Sequence, residues 1–362
     1  MSCFGTATVF SNAAVAIVAG GIKFTADKLA DVKITKSLGG GTLPIGGVCT
    51  SELTFTLRNE DGVVFDESGT VTIADCPGEY PTYYINQRSG GKLRESYVCY
   101  DAMIFAEQDF SYDWTAETVA KDERGRKYIT SGQFLVLAAS QMGVSGIGGG
   151  NTEIRLLKKH IKDKTIKDVL SLLASAWGGC FYVASSGSIQ FAAYGGYSAM
   201  CDIDEFNHSA VNIGFERSPV SRVIMTDTDK NKVYDTLGSN DFTAIIRVSS
   251  PIASQELAEA ILGNASNYRY KAFSCAKALV NNNVEAGSLV SFGENSFIAY
   301  SVILFLTSSG VYASLSAPEI SESENCFRGN LQREVAGKIS LGRQYENFIY
   351  DDGRLSFDFS ED

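Results

Sequence analysis

The stretch that decides the fold of this chain is Ile45-Gly46-Gly47-Val48-Cys49-Thr50-Ser51-Glu52-Leu53-Thr54-Phe55-Thr56-Leu57-Arg58-Asn59-Glu60-Asp61-Gly62. Apolar and polar side chains alternate between residues 51 and 58, which is the period of a half-buried antiparallel strand. Gly46 and Gly47 come before this strand, and the polar turn Asp61-Gly62 closes it. By itself the stretch predicts one strand of a β-sandwich or a β-barrel.

Strand patterns extend over residues 1–105. A pair of strands follows at Tyr83-Tyr84-Ile85 and at residues 96–103, with a reversal at Ser89-Gly90-Gly91. The apolar stretch 13–22 is short, is broken by glycines and has no basic residues before it. We therefore interpret it as a first strand, and neither as a signal peptide nor as a membrane span.

The middle of the chain, residues 106–204, changes to a helix-and-strand pattern. Ser131 is positioned to cap a helix that runs to Met142, with Gly143 at its left-handed end. A second helix is predicted over residues 165–177, because Thr165 and Asp168 have the spacing of a capping box.

In this second helix, five apolar residues recur on one face: Ile166, Val169, Leu170, Leu173 and Trp177. A hairpin follows at residues 180–183 and 188–191, around the turn Ser185-Ser186-Gly187. Helix and hairpin together predict an α+β layer, with Trp177 in its core.

From residue 205 the chain returns to strands, with one short helix over residues 254–262, capped by Ser254 and stopped by Gly263. Residues 297–306 form one of the predicted strands. Residues 319–362 form an acidic linker and then a final hairpin about Asp351-Asp352-Gly353. This hairpin either docks another component or completes the fold of its own subunit.

Composition excludes some classes of function. A formal net charge of −11 disfavours a nucleic-acid-binding surface. The densest basic run, residues 155–167, is interpreted as a solvated strand-and-helix face. The eight cysteines have no zinc-ligand spacing and predict reduced thiols.

No catalytic residue, cofactor or metal site is predicted. His160 and His208 lack ligand neighbours at metal-binding spacing and are interpreted as surface histidines. The Cys201–His208 pair is the one candidate for cysteine-peptidase chemistry, and no helix lies between its members. The loop 146–150 lacks the lysine and hydroxyl residue of a phosphate loop and is interpreted as a flexible connector. A pair of glycosidase carboxylates stays open, because its geometry is invisible in sequence.

Four segments carry a resemblance to a known family. They are Ile45-Gly46 with Ser51-Glu52-Leu53-Thr54-Phe55-Thr56-Leu57-Arg58-Asn59; Tyr83-Tyr84-Ile85 with Tyr97-Val98-Cys99-Tyr100-Asp101-Ala102-Met103; Asp163-Lys164-Thr165-Ile166-Lys167-Asp168-Val169-Leu170 with Ala174, Trp177-Gly178-Gly179 and Gly187-Ser188-Ile189; and Val284-Glu285-Ala286-Gly287-Ser288-Leu289-Val290. In this order they resemble the phage tail hub family, the baseplate hub or tail-associated tip proteins of contractile- and long-tailed phages and of phage-derived tail-like particles. Ser288 stands where that family usually has an aspartate.

The resemblance covers about residues 20–310 and implies a mainly β fold with an α+β insert. It implies two barrel-like hub domains, 1–105 and 205–318, which build a torus, a smaller α/β domain at 106–204, and the C-terminal linker and hairpin at 319–362.

The resemblance also implies a function. The expected protein is a non-enzymatic homotrimeric ring that joins the six-fold tail tube or distal tail ring to a three-fold central spike or tail fibre. The expected partners are those ring proteins, the tape-measure protein and the spike or fibre. The expected location is the virion, after late assembly in the host cytoplasm. The alternative is a tail-tip protein that additionally binds or cleaves host surface glycan.

Overall fold

The structure is a computed structural model that describes residues 15–38, 45–58, 69–76, 78–91, 93–196, 200–203, 208–216, 219–238, 245–280, 284–293, 295–317, 348–351 and 354–357. Strands make up 48% and helices 17%, which confirms a mainly β fold. The helices lie in and after the middle region, where the sequence predicts them.

Within these residues the strands are β1 (Ala16–Ala19), β2 (Ile22–Thr25), β3 (Leu29–Ser37), β4 (Gly47–Val48), β5 (Glu52–Arg58), β6 (Thr70–Ala74), β7 (Tyr83–Gly91), β8 (Arg94–Tyr100), β9 (Tyr128–Thr130), β10 (Ile147–Gly148), β11 (Arg155–Leu157), β12 (Gly179–Val183), β13 (Ile189–Ala193), β14 (Met200–Asp202), β15 (Ala210–Glu216), β16 (Arg222–Asp227), β17 (Lys232–Leu237), β18 (Ile245–Ser250), β19 (Lys271–Val280), β20 (Leu289–Phe292), β21 (Asn295–Ile298), β22 (Ser301–Thr307), β23 (Gly310–Ala317), β24 (Phe348–Asp351) and β25 (Arg354–Phe357). The helices are α1 (Ser131–Met142), α2 (Lys158–Ile161), α3 (Ile166–Trp177) and α4 (Gln255–Ala265), with a 3-10 helix η1 at Ala102–Glu107.

The largest sheet has eleven strands, in the order β15-β19-β23-β22-β3-β5-β8-β7-β6-β1-β2. Its seam is the antiparallel pair β3–β22, in which Ser37 lies opposite Ser301 and Ile34 opposite Leu304. Strands from the first and last thirds of the chain therefore form one continuous sheet. Within the described residues no sheet closes into a barrel, and β15 and β2 are the two edges of the large sheet.

Strand β5 confirms the alternation of buried and exposed side chains that is predicted for residues 51–58. Leu53, Phe55 and Leu57 of β5 are buried, while Thr54 and Thr56 are half-buried and Arg58 is exposed. Because side chains alternate across a strand, β5 contributes one face to the core and the other to the outside of the sheet.

Helix α3 confirms the predicted capping box of Thr165 and Asp168, and its C-cap Gly178 has the left-handed φ of 73°. The predicted apolar face is buried, but ten of the twelve residues of α3 are buried in all. The reason is that α3 packs against β4 and β12 as well as against β18 and α4. Trp177 lies in the core against Phe181 and Phe191, and the hairpin β12–β13 forms as predicted.

Several local predictions were wrong in detail. The cap of α1 is Thr130, which accepts from the Gln133 N–H, while the Ser131 hydroxyl donates to the Asn151 carbonyl. Helix α4 continues through Gly263 to Ala265, and Leu257, Ile261 and Ala265 are buried along its length.

The first strand predicted in the stretch 13–22 is confirmed as β1, and Ile22 begins β2, which forms a hairpin with β1. Two further segments differ from their predictions. Residues 297–306 belong to the two strands β21 and β22 and not to one. The loop 146–150 is packed rather than flexible: β10 pairs with β13, and a Cβ on Gly150 would lie 2.1 Å from the Trp177 ring.

The C-terminal hairpin is confirmed as a pair, with Phe348 opposite Phe357 and Asp351 opposite Arg354. The acidic linker 319–324 lies outside the described residues. The cysteines that the structure describes as free are Cys49, Cys76, Cys99, Cys180 and Cys275.

Candidate functional site

Three of the four family-like segments meet in one buried region, which we call the polar junction and define by Lys36, Ser51, Asp101 and Glu285. The Ser51 N–H donates to Asp101 Oδ2 at 2.7 Å, and the Met103 N–H donates to Asp101 Oδ1 at 3.0 Å. Asp101 therefore caps η1 and holds the start of β5 against it. Two of the segments thus meet through one carboxylate that is 1% exposed.

The fourth segment enters the polar junction through Glu285. Its carboxylate lies 2.8 Å from the Lys36 ammonium, which projects from β3 beside the seam with β22. Ser51 Oγ and the Tyr83 hydroxyl lie 3.1 Å apart and add a further contact between β5 and β7. The junction therefore ties the first half of the large sheet to the segment that leads into β20 of a separate three-stranded sheet.

Burial dominates the electrostatics of this region. Desolvation raises the pKa of Asp101 to about 7, against the opposing effect of its two backbone hydrogen bonds. Desolvation also lowers the pKa of Lys36, although Glu285 counteracts that shift. The polar junction therefore contains ionisable side chains that are shielded from water. Such side chains occur in rigid structural networks as well as in active sites.

The third segment meets the first at Gly46. The Ser171 hydroxyl of α3 donates to the Gly46 carbonyl at 2.6 Å, and the Gly46 N–H donates to the Gly179 carbonyl at 2.8 Å. Gly46 has a φ of 82°, and a Cβ there would lie 2.4 Å from Ser175 Oγ. Only glycine fits this close approach, which explains the glycine hinge that precedes β5.

The two histidines are placed differently from each other. His160 was predicted to lie on the surface, but it is 6% exposed, because it lies on α2 where that helix packs against the turn after β16. Its Nδ1 accepts from the Leu157 N–H at 3.3 Å, and its Nε2 lies 2.8 Å from Asp229 Oδ2. Since both ring nitrogens are engaged, neither serves as a general base toward a nucleophile in this state.

Asp229 contacts two residues of α2, His160 and Lys159. Lys159 Nζ lies 2.6 Å from its Oδ1. Burial raises the pKa of Asp229, but the hydrogen bonds from His160 and Lys159 outweigh it and hold that pKa at about 2. The carboxylate thus links α2 of the insert to the β16–β17 turn.

His208 is half-buried and packs edge-on against Phe292, with ring centroids 5.1 Å apart. The side chain of Cys201 lies outside the described part of the structure, so the Cys201–His208 pair stays untested. Among the described residues no three metal-ligating side chains converge on one point. In the same part of the chain, every helix is too short or too polar to span a bilayer.

A groove of about 910 Å³ lies beside the His160–Asp229 pair, between the insert and the start of α4. Its lining includes cations and carboxylates: Arg124, Arg155, Lys159, Glu153, Asp229 and Glu256. The mixture of charges does not select one ligand class.

Sequence reasoning missed Lys36 and Asp229. Lys36 carried a readable signal, because Val32, Ile34 and Lys36 share the core-facing parity of β3. A lysine at a core position of a strand predicts a buried ion pair. Asp229 carried no such signal, since its partners are 69 and 70 residues away in sequence.

The fold defined by this sheet, seam and insert is found in known tail proteins. The structure is similar to that of the 43 kDa tail protein of prophage MuSo2 from Shewanella oneidensis, with a TM-score of 0.55 and 12% identity over 84% of this chain and 98% of that one. It is also similar to prophage tail protein gp18 from Listeria monocytogenes EGD-e, with a TM-score of 0.53 and 10% identity over 90% of this chain and 99% of that one. At these identities the likeness shows a shared fold. No protein-family model and no curated protein matches the sequence.

Proposed function

We propose that this protein is a non-enzymatic structural subunit of a phage tail or of a phage-derived tail-like particle. Within the tail, its place is the hub of the tip or baseplate. The shared fold with two prophage tail proteins supports the general role. The order of the four family-like segments supports the specific role, as do their contacts: three of them meet at the polar junction, and the segment 163–189 meets the first at Gly46.

One observation carries the hub proposal: the β3–β22 seam joins strands from residues 1–105 and 205–318 into a single open sheet. Its two edge strands, β2 and β15, each carry an exposed isoleucine, Ile22 at 44% and Ile213 at 43%. Open edges favour pairing with another chain. Contact between one edge of a copy and the opposite edge of the next is heterologous, and such contacts close into a ring when the rotation between copies is one third of a turn.

Three copies, each with two hub domains, would present six similar units on one side and three-fold symmetry on the other. This is the geometry needed to join a six-fold tail tube or distal tail ring to a three-fold spike or fibre. The partners proposed on this basis are those ring proteins, the tape-measure protein and the spike or fibre, in a virion assembled in the host cytoplasm.

Light scattering of the purified protein, alone and with the distal tail ring protein, tests the proposal. The expected mass is about three times 39.0 kDa. Ile22→Asp and Ile213→Asp should each weaken the trimer, whereas Val136→Asp should not, because Val136 is 72% exposed on α1, away from both sheet edges. A protein that stays monomeric even with the distal ring present would contradict the hub role.

A further inference from the structure

Strand β17 is an unusual edge, because it exposes two large apolar side chains on one face. Val233 is 59% exposed and Leu237 is 57% exposed. Within the described residues β17 pairs with β16 alone, at the end of the three-stranded sheet β17-β16-β18. Its outer edge therefore offers backbone N–H and C=O groups next to an apolar strip, the combination that templates strand addition.

The opposite face of β17 is already covered by this chain. Tyr234 packs against the core, and Gln255 of α4 donates from Nε2 to Thr236 Oγ1 at 2.8 Å. Because side chains alternate along a strand, Val233 and Leu237 point away from α4. The exposed strip thus belongs to the outer face of the sheet.

Among the described residues of the three strands, this outer face carries two arginines and one aspartate. Arg222 donates from Nε to Asp235 Oδ1 at 2.8 Å, across the register of β16 and β17. Arg247 of β18 shares the face, since it lies opposite Ile224 in the parallel pair β16–β18. The hydrogen bond from Arg222 lowers the pKa of Asp235, and the positive charge of Arg247 lowers it further. Two arginines against one aspartate favour an acidic segment as the occupant.

The C-terminal hairpin β24–β25 matches these requirements. Its strands pair with each other and, within the described residues, with no other strand. An isolated two-stranded hairpin is marginal in water, so it gains stability by joining a sheet. Residues 348–362 contain five acidic residues and one arginine. The thirty residues 318–347 reach up to about 100 Å when extended.

We propose that the C-terminal hairpin of this chain docks on the outer edge of its own β17, extends the β17-β16-β18 sheet and covers Val233 and Leu237. The two other open edges named above, β2 and β15, each expose one large apolar side chain, whereas β17 exposes two on one face. The proposal assigns the hairpin to the subunit's own fold and does not depend on the hub role.

Hydrogen–deuterium exchange on the full-length protein tests it. In the wild type, the amides of residues 232–237 and 348–357 should both be protected. The double variant Val233→Asp, Leu237→Asp removes apolar area and adds repulsion toward the acidic hairpin. It should speed exchange of residues 348–357 by roughly tenfold or more, since the hairpin would lose its docking partner. Circular dichroism verifies that the variant remains folded.

Val136→Asp is the control, because it places an added carboxylate at an apolar position on α1 that is also largely exposed, at 72%. It should leave exchange of the hairpin unchanged. Equal hairpin exchange in the wild type and the double variant would overturn the proposal, as would an unprotected hairpin in the wild type. Protection that grows with protein concentration would place the hairpin on a second copy and overturn docking within the chain.

Discussion

The Lys36 ammonium lies 2.8 Å from the Glu285 carboxylate, although the two residues are far apart in sequence. The lysine side chain is 5% exposed and the glutamate side chain 19%. The pair stands next to the seam at which β3 of the first third meets β22 of the last third. The pair therefore joins β3 of the large sheet to the segment that leads into β20 of a separate three-stranded sheet.

Removing the acidic member of this pair should be costly. Glu285→Gln leaves the buried Lys36 ammonium without the carboxylate that it bonds, and breaking a buried pair in this way costs about 3–5 kcal/mol. Urea unfolding followed by circular dichroism measures the change. Asp75→Asn is the control, because the Lys23–Asp75 pair is nearly half exposed and should cost under about 1 kcal/mol. A similar loss in both variants would mean that the seam does not rely on Lys36 and Glu285.

The free energy of unfolding should depend on pH through Asp101. Burial raises the pKa of Asp101 to about 7 in the folded protein, above its ordinary value of 3.8. The folded state therefore binds a proton that the unfolded state releases. This contribution to stability is complete below about pH 4 and is lost as the pH rises through about 7.

Asp101→Asn tests this dependence, because an amide does not titrate. The wild type should lose up to about 4 kcal/mol relative to the variant between pH 4 and pH 8. Denaturant unfolding at a series of pH values gives both curves. Parallel curves would show that Asp101 is ionised in the folded protein throughout this range.

The His160–Asp229 pair should contribute to stability and not to catalysis. His160→Gln removes a bond to a carboxylate that links the insert to the β16–β17 turn, at a cost of about 1–3 kcal/mol. His208→Gln should cost less, because His208 is half-buried and packs on one side against Phe292. Thermal melts compare the two variants.

Neither histidine variant, nor Cys201→Ser, should abolish particle assembly. A peptidoglycan-degrading activity that disappears in one of these variants, with folding preserved, would refute the non-enzymatic role.

Helix α3 should tolerate substitutions without a large loss of stability only on the narrow exposed face that carries Lys167. Leu170 is fully buried, so Leu170→Ala should cost about 2–5 kcal/mol through lost packing and a residual cavity. Lys167 forms an ion pair with Glu107, with both side chains substantially exposed, so Lys167→Ala should cost under about 1 kcal/mol. Chemical unfolding measures both values, and equal costs would show that α3 is packed differently.

The local elements were predictable because their signals lie within a few residues. Strand β5 follows from the alternation of Leu53, Phe55 and Leu57, and the start of α3 follows from the spacing of Thr165 and Asp168. The end of α4 was mispredicted at Gly263, since glycine weakens a helix by only about 1 kcal/mol and packing of Leu257 and Ile261 outweighs this. The prediction that His160 lies on the surface was wrong because its partner, Asp229, is 69 residues away in the sequence.

The sequence by itself determined which segments are strands, which are helices and which faces they bury, because backbone propensity and side-chain alternation act over neighbouring residues. Only the tertiary structure decided which strands pair, such as β3 with β22 and β4 with β12. The contacts of Lys36 and Asp101 depend on these pairings. These pairings bring together residues that are as much as 272 positions apart, as in Lys33 and Phe305. Many strands of this chain share the same alternating pattern, so the choice of partner depends on the packing of the whole core, which no local pattern encodes.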